Sequence, residues 1–154
     1  MQVRAFRPDD AVTLLVLFRD TVRRVNARDY SPEQVSAWAS DEIRETDWAG
    51  RFAGKFVVVA ETAERLVGFA ELEPDGHVDR FYVSADHQRR GGGRALLDAL
   101  VAEARCAGTP RLYTEASITA RPFFESQGFV VLSPQSVVCR GVEFLNFRMS
   151  RQLA

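Results

Sequence analysis

Two hydrophobic periods alternate along the chain. Between Lys55 and Ser84 the apolar positions come in short dense runs, "KFVVVAET", "RLVGFAEL" and "HVDRFYVS". The first has an uninterrupted β-branched centre, the mark of a strand covered on both faces. A tight turn follows it, and "EPDGHV" between the second and third carries the Pro-Asp-Gly order of a turn. Three strands joined in this way predict an antiparallel meander. Elsewhere the spacing is helical. Leu14, Leu15, Leu17, Phe18 and Val22 follow Asp9 and Asp10, whose charge suits a helix start. In "SPEQVSAWA", Ser31 reads as the N-cap, Pro32 as the first helical residue and Gln34 as the return half of a capping box. Leu96, Leu97, Leu100, Val101 and Ala104 share one face of a further helix, ended by Gly108 and Pro110.

The remaining segments complete the order. "VRAFR" (Val3–Arg7) reads as a strand halted by Pro8, and "RLYTEA" as another. "TARPFFESQGF" is a short helix closed by Gly128, and "VVLSPQSVVCRGVEFLNFRM" a hairpin turning near Arg140-Gly141. "DEIRETDWAGRFAG" is polar, broken by Gly50 and Gly54, and admits either a short helix or a loop. No repeat, linker or low-complexity stretch intervenes. The order β-α-α-β-β-β-α-β-α-β-β describes a mixed α/β domain over residues 1–154.

Composition narrows the field. A chain of 154 residues with 46% apolar and 27% charged side chains suits one soluble domain with a substantial core. The net charge of −1 argues against a general nucleic-acid binder, whose affinity rests on clustered Lys and Arg. "MQVRAFRPDD" lacks the apolar core of a signal peptide, and no apolar run is long enough for a bilayer, so no membrane association and a cytoplasmic location are expected. Cys106 and Cys139 lack metal spacing, and His77 and His87 are too few for zinc, so no metal is expected.

The chemistry starts at "HQRRGGGRALL". Three glycines stand where the helical run begins, although glycine is a poor helix former. A helix start exposes unpaired N–H groups and the positive end of the macrodipole. Glycines there admit an anion to the amides, and Arg89, Arg90 and Arg94 add charge around the same point. The spacing fits neither Gly-x-Gly-x-x-Gly nor the P-loop, since no Gly-Lys-Ser/Thr follows. It does fit Gln/Arg-x-x-Gly-x-Gly/Ala through Gln88, Gly91 and Gly93.

At this motif the chain resembles the GNAT superfamily of acetyl-CoA-dependent N-acyltransferases. "DRFYVSAD" is similar to the family's central strand and the acidic turn after it, and "ASITARPFFESQGF" to its later helix ending Phe-Tyr-x-x-x-Gly-Phe. The order of elements from Gln2 to Met149 matches as well. The combination of "YSPEQVSAWA" with "DGHVDRFYV" and "TARPFFESQGF" looks most like bacterial members of unassigned substrate. The resemblance implies an α/β fold with a mixed, mostly antiparallel sheet of about seven strands, splayed at its centre and flanked by about four helices. It implies acetyl-CoA as acetyl donor and a primary amine of a small molecule or peptide as acceptor, with a homodimer compatible.

Residue by residue, the resemblance places the pantetheine arm against the backbone of Phe81, Tyr82 and Val83. The diphosphate falls to Gln88, Arg89, Arg90, Gly91, Gly92, Gly93 and Arg94. Ser117, Ala120, Phe123 and Phe124 would flank the arm, and the Val83 N–H would polarise the thioester carbonyl. An alkylamine with a pKa of about 10 must lose a proton before attack. Asp79, His77 and Glu71 are the base candidates in or beside the central strand. His77 and Glu73 flank a turn, where solvation alone also accounts for them, and Asp79 suits a cross-strand partner equally well. Phe124 departs from the family, which often carries a proton-donating Tyr there; water, Tyr82 or Tyr113 remain as donors. Tyr30 and Trp38 fall in the region covering the acceptor, where they serve either as pocket or as core. The missing Tyr leaves a second class open, a GNAT-like module that senses acyl-CoA without turnover; a nucleotide-phosphate binder of another fold is a third.

Overall fold

The computed structural model describes residues 1–153, and within them strands and helices follow nearly the expected order. β1 (Gln2–Ala5) leads into α1 (Ala11–Arg24), α2 (Pro32–Trp38) and α3 (Glu45–Gly50). The meander follows as β2 (Phe56–Glu61), β3 (Leu66–Leu72) and β4 (Val78–Val83). Then come α4 (Gly92–Cys106), β5 (Arg111–Ser117), α5 (Arg121–Ser126), β6 (Val130–Cys139) and β7 (Val142–Gln152). The polar stretch that admitted helix or loop holds α3, because Trp48 anchors it: the indole is 2% exposed and donates to the Ala11 carbonyl at 2.8 Å.

Local signals act as their chemistry dictates. The Ser31 hydroxyl accepts from the Gln34 N–H at 3.1 Å, and the Gln34 side chain returns the bond to the Ser31 N–H at 2.8 Å. The β6–β7 hairpin turns on Arg140 and Gly141, with φ of 48° and 77°, the paired positive values of a tight hairpin turn.

The splay expected at the centre divides the seven strands into two antiparallel sheets, in the orders β1-β2-β3-β4 and β5-β7-β6. They touch at one end of β4 and β5. A lone parallel bridge joins His77 to Tyr113, the Tyr113 N–H donates to the Gly76 carbonyl at 3.1 Å, and the Thr114 hydroxyl donates to the Val78 carbonyl at 2.9 Å. Past those bonds the strands part. A register shift between Ala70 and Leu72 of β3 lies opposite the same end of β4, and such bulges bend a strand and increase its twist.

Both faces of the first sheet are covered. Val57, Val59 and Phe69 pack with Leu14, Leu15, Phe18 and Val22 of α1. Val58, Val67 and Ala70 pack with Leu96, Leu97 and Leu100 of α4. This double cover is why "KFVVVAET" is apolar at consecutive positions. Each fully buried leucine contributes about 2 kcal/mol by removal of its side chain from water.

Candidate active site

The gap between β4 and β5 is a cleft of ≈ 540 Å³, within the range of small-molecule sites. The central strand lends it backbone as well as side chains. The Ser84 N–H donates to the Val67 carbonyl at 2.7 Å, beside the Gly68–Val83 pair, so that pair is of the non-hydrogen-bonded kind. The N–H and C=O of Val83 therefore point away from β3, into the cleft, and Phe81 has the same parity opposite Ala70. The Val83 carbonyl is taken by the Gln88 side-chain amide at 2.6 Å. Its N–H remains to meet a ligand.

At one end of the cleft stands the start of α4. Gly91 is its N-cap, in the left-handed region at φ 85°, and nothing lies within 4 Å of where a Cβ would be. The first intrahelical bond runs from the Ala95 N–H to the Gly91 carbonyl at 3.0 Å, so the amides before it are left over. The three glycines differ in role. Gly91 provides the turn. Gly92 is buried, where a Cβ would meet the Met1 sulfur at 3.3 Å. A Cβ on Gly93 would lie 2.9 Å from the Phe123 ring. Arg89, itself at φ 60°, and Arg94 line the cleft, while Arg90 is exposed beyond it. None of the three forms an ion pair among the described residues, so their charge faces whatever anion enters. Free amides, open space and unpaired guanidinium groups fit a diphosphate.

One wall of the cleft is apolar. Phe81, Phe123 and Phe124 form a triangle of rings 5.3–5.5 Å apart. Phe124 is 3% exposed and supplies packing alone. Ser117 and Ala120 also line the cleft; the Ser117 hydroxyl accepts from the Ala120 N–H at 3.0 Å and from the Asn26 amide at 3.4 Å. Asn26, which sequence reasoning missed, thus ties the end of α1 across to β5.

A second cleft of ≈ 440 Å³ joins the first, and Trp38, Asp79, Tyr82 and Glu115 line both. The Tyr82 hydroxyl accepts from the Trp38 indole at 3.1 Å and keeps its own proton, burial pushing its pKa well above the usual phenol value. Burial pushes the Asp79 carboxyl up, but the hydrogen bond and charge of Lys55 at 2.7 Å, with Arg51 at 3.6 Å, outweigh it and hold the pKa below the ordinary range.

The other two base candidates stand elsewhere. Glu71 is fully buried, gripped by Arg80 through two bonds of 2.5 and 2.8 Å with Lys55 at 3.6 Å, and it lines neither cleft. Its carboxylate is a structural ion-pair partner. His77 also lies off both clefts. Its Nε2 bonds Glu115 at 2.7 Å and its Nδ1 bonds Glu73 at 2.5 Å. The Glu115 hydrogen bond first, and Glu73 with it, push the imidazole up to about 9 against an opposing burial effect. A histidine already protonated at neutral pH is no base; it is a cation clamping Glu115. Glu115 had gone unnoticed in "RLYTEA". Alternation in that strand put it on the face opposite Leu112, Thr114 and Ala116, but nothing local linked it to His77.

Tyr30 departs from the acceptor role as well. Its hydroxyl donates to the Leu145 carbonyl at 2.7 Å and accepts from the Ile118 N–H at 2.9 Å, so it braces the loop after α1 against the second sheet. Trp38 does face the cavity. Tyr113 hydrogen-bonds Asp75, outside both clefts.

The sequence and the fold both match known proteins. Residues 26–151 match the family model described as an acetyltransferase (GNAT) domain. The uncharacterized N-acetyltransferase YafP of Escherichia coli (strain K12) is 37% identical over 149 residues, 97% of this chain and 94% of YafP. A GCN5-related N-acetyltransferase from Rhodopseudomonas palustris superposes with a TM-score of 0.93 at 34% identity, over 98% of this chain and 94% of that one. The PaiA N-acetyltransferase from Thermoplasma acidophilum, solved with coenzyme A, has a TM-score of 0.80 at 17% identity, covering 98% of each chain. The match over most of the sequence and the agreement of these folds identify the chain as a member of the GNAT acetyltransferase family.

Proposed function

We propose that the protein transfers an acetyl group from acetyl-CoA to a primary amine by direct attack on the thioester. The observation that carries this reading is the junction of the two clefts, where a carboxylate pair and a protonated phenol line both cavities, with the free Val83 N–H further along the diphosphate-compatible groove. Acetyl-CoA supplies the acetyl group as a thioester; the chain's residues do the rest. Arg89, Arg94 and the amides opening α4 hold the phosphates, and the phenylalanine wall packs the pantetheine arm. The Val83 N–H donates to the carbonyl oxygen as negative charge develops there. Asp79, pinned by Lys55, holds the ammonium group of the acceptor. Glu115 takes its proton and releases it to solvent, while the protonated His77, donating through Nε2, holds the Glu115 carboxylate in place. As the C–N bond forms and the C–S bond breaks, the nitrogen sheds its second proton to water, and the thiolate takes a proton from water or from Tyr82, which regains it from solvent.

Mixing the protein with acetyl-CoA and a panel of amines while following free thiol tests the reading. Glu115→Gln is expected to lower kcat on the order of a hundredfold near neutral pH, and less at high pH where the amine deprotonates itself. An unchanged rate across that range removes Glu115 from the mechanism. A second reading, an acyl-CoA sensor, draws on Phe124, which offers no proton. It predicts that acetyl-CoA binds and that no amine releases thiol.

A further inference from the structure

We propose, resting on the acetyl-transfer reading above, that the acceptor is an amine that also carries a carboxylate and binds as a zwitterion. Charge in the second cleft is segregated. Its two carboxylates at the junction, Asp79 and Glu115, line both cavities, whereas Arg51, Arg80 and Arg140 line only the second. An acceptor whose ammonium sits at the junction therefore extends its other end toward cations.

Arg80 is the anchor of that cationic end. It is 6% exposed, and its guanidinium plane stacks over Trp48 and Phe52 at 4.1 and 4.6 Å. Nε and Nη2 are used by Glu71, yet the buried Nη1 has no partner among the described residues. A buried donor without an acceptor costs free energy, and Arg80 lines the second cleft, so a ligand carboxylate that displaces the side chains covering Nη1 removes that cost. Glu71 does not serve Nη1, because it meets the Nε–Nη2 edge of the guanidinium and Nη1 lies on the other side of the central carbon.

The two exposed arginines are underused as well. Arg140 donates to the Ala37 carbonyl at 2.7 Å and meets no carboxylate. Arg51 reaches only Asp79 at 3.6 Å, and Asp79 is held more closely by Lys55 at 2.7 Å. Arg44 is discounted, being paired with Asp47 at 3.0 Å. Glu42 is the one unpaired acid of this cleft that is not at the junction, and it stands exposed. The surplus beyond the junction is positive. The planar two-donor edge of a guanidinium matches a carboxylate better than an ammonium would.

The test compares matched pairs that differ by one carboxylate, phenylalanine with phenethylamine and lysine with cadaverine, as acceptors with saturating acetyl-CoA. The carboxylated member is expected to show at least tenfold higher kcat/KM, expressed mainly in KM. Arg51→Gln and Arg140→Gln should each shrink that ratio threefold or more. The ratio is the readout because an indirect effect through Asp79 moves both members of a pair alike. Equal or lower kcat/KM for the carboxylated members, or a ratio unmoved in both variants, overturns the zwitterion assignment and leaves amine acetylation standing. If no amine releases thiol, acetyl transfer to these amines fails, and the binding of the same compounds to the coenzyme A complex decides. Preferential thermal stabilisation by phenylalanine over phenethylamine, lost in Arg51→Gln, upholds the anion subsite; no preference overturns it.

Discussion

Replacing His77 with glutamine removes the cation between Glu73 and Glu115, and the pH dependence of stability should register its loss. In the folded protein the imidazole titrates at about 9, against 6.5 when unperturbed. A group whose folded pKa is raised contributes stability that is complete below the unfolded value and lost as pH climbs through the folded one. The contribution is therefore full below pH 6.5, declines between 6.5 and 9, and is gone above. Such a shift corresponds to an upper limit of about 3 kcal/mol. Both carboxylates are 38% exposed, so solvent screening reduces this to about 1–2 kcal/mol. Urea unfolding of parent and His77→Gln at a series of pH values isolates the effect. Glutamine also loses the stacking of the imidazole on Tyr113, at 4.9 Å between ring centroids, but that loss is an offset independent of pH. The parent's advantage should be about 1–2 kcal/mol larger at pH 6 than at pH 9.5. An advantage that is constant across that range, or larger at pH 9.5, refutes the clamp.

Three further outcomes are expected. Gly93→Val should abolish the rise in melting temperature that acetyl-CoA produces, because a Cβ there already lies 2.9 Å from the Phe123 ring and the extra methyl groups push that ring into the cleft; parent-like binding by calorimetry would remove the cleft from cofactor recognition. The affinity for coenzyme A should fall as ionic strength rises, less steeply in an Arg89→Ala, Arg94→Ala double variant, and identical salt slopes would discount both arginines. Glu71→Gln should act on stability, at a cost of about 3–5 kcal/mol for stranding the buried Arg80 charge, while turnover of the folded fraction changes by less than about tenfold; an unaltered denaturation midpoint would contradict the ion-pair role.

Much of the scaffold was legible before any coordinates. Strand and helix positions follow from apolar period, and the Ser31–Gln34 box and the Arg140-Gly141 turn involve residues within four positions of one another. The glycine-rich start of α4 was legible for the same reason: unpaired amides, left-handed backbone and missing side chains are properties of the local chain. Even there the division of labour was not, since Met1 and Phe123, which approach Gly92 and Gly93, lie far away in sequence.

Side-chain roles at the junction belong to the tertiary structure. Glu71, Asp79 and His77 all read as acids or bases near the central strand, and their separate fates turn on partners elsewhere in the chain. Glu71 meets Arg80 across the β3–β4 bulge, Asp79 meets Lys55 from the segment before β2, and His77 meets Glu115 only because β4 and β5 join at their near ends before parting. Tyr30 became a brace rather than a pocket wall because the loop after α1 comes to rest beside Leu145 and Ile118. Periodicity records which face of an element is buried. Which charges are brought within 3 Å of one another depends on strand order and on where two sheets separate, and no local pattern in the sequence carries that information.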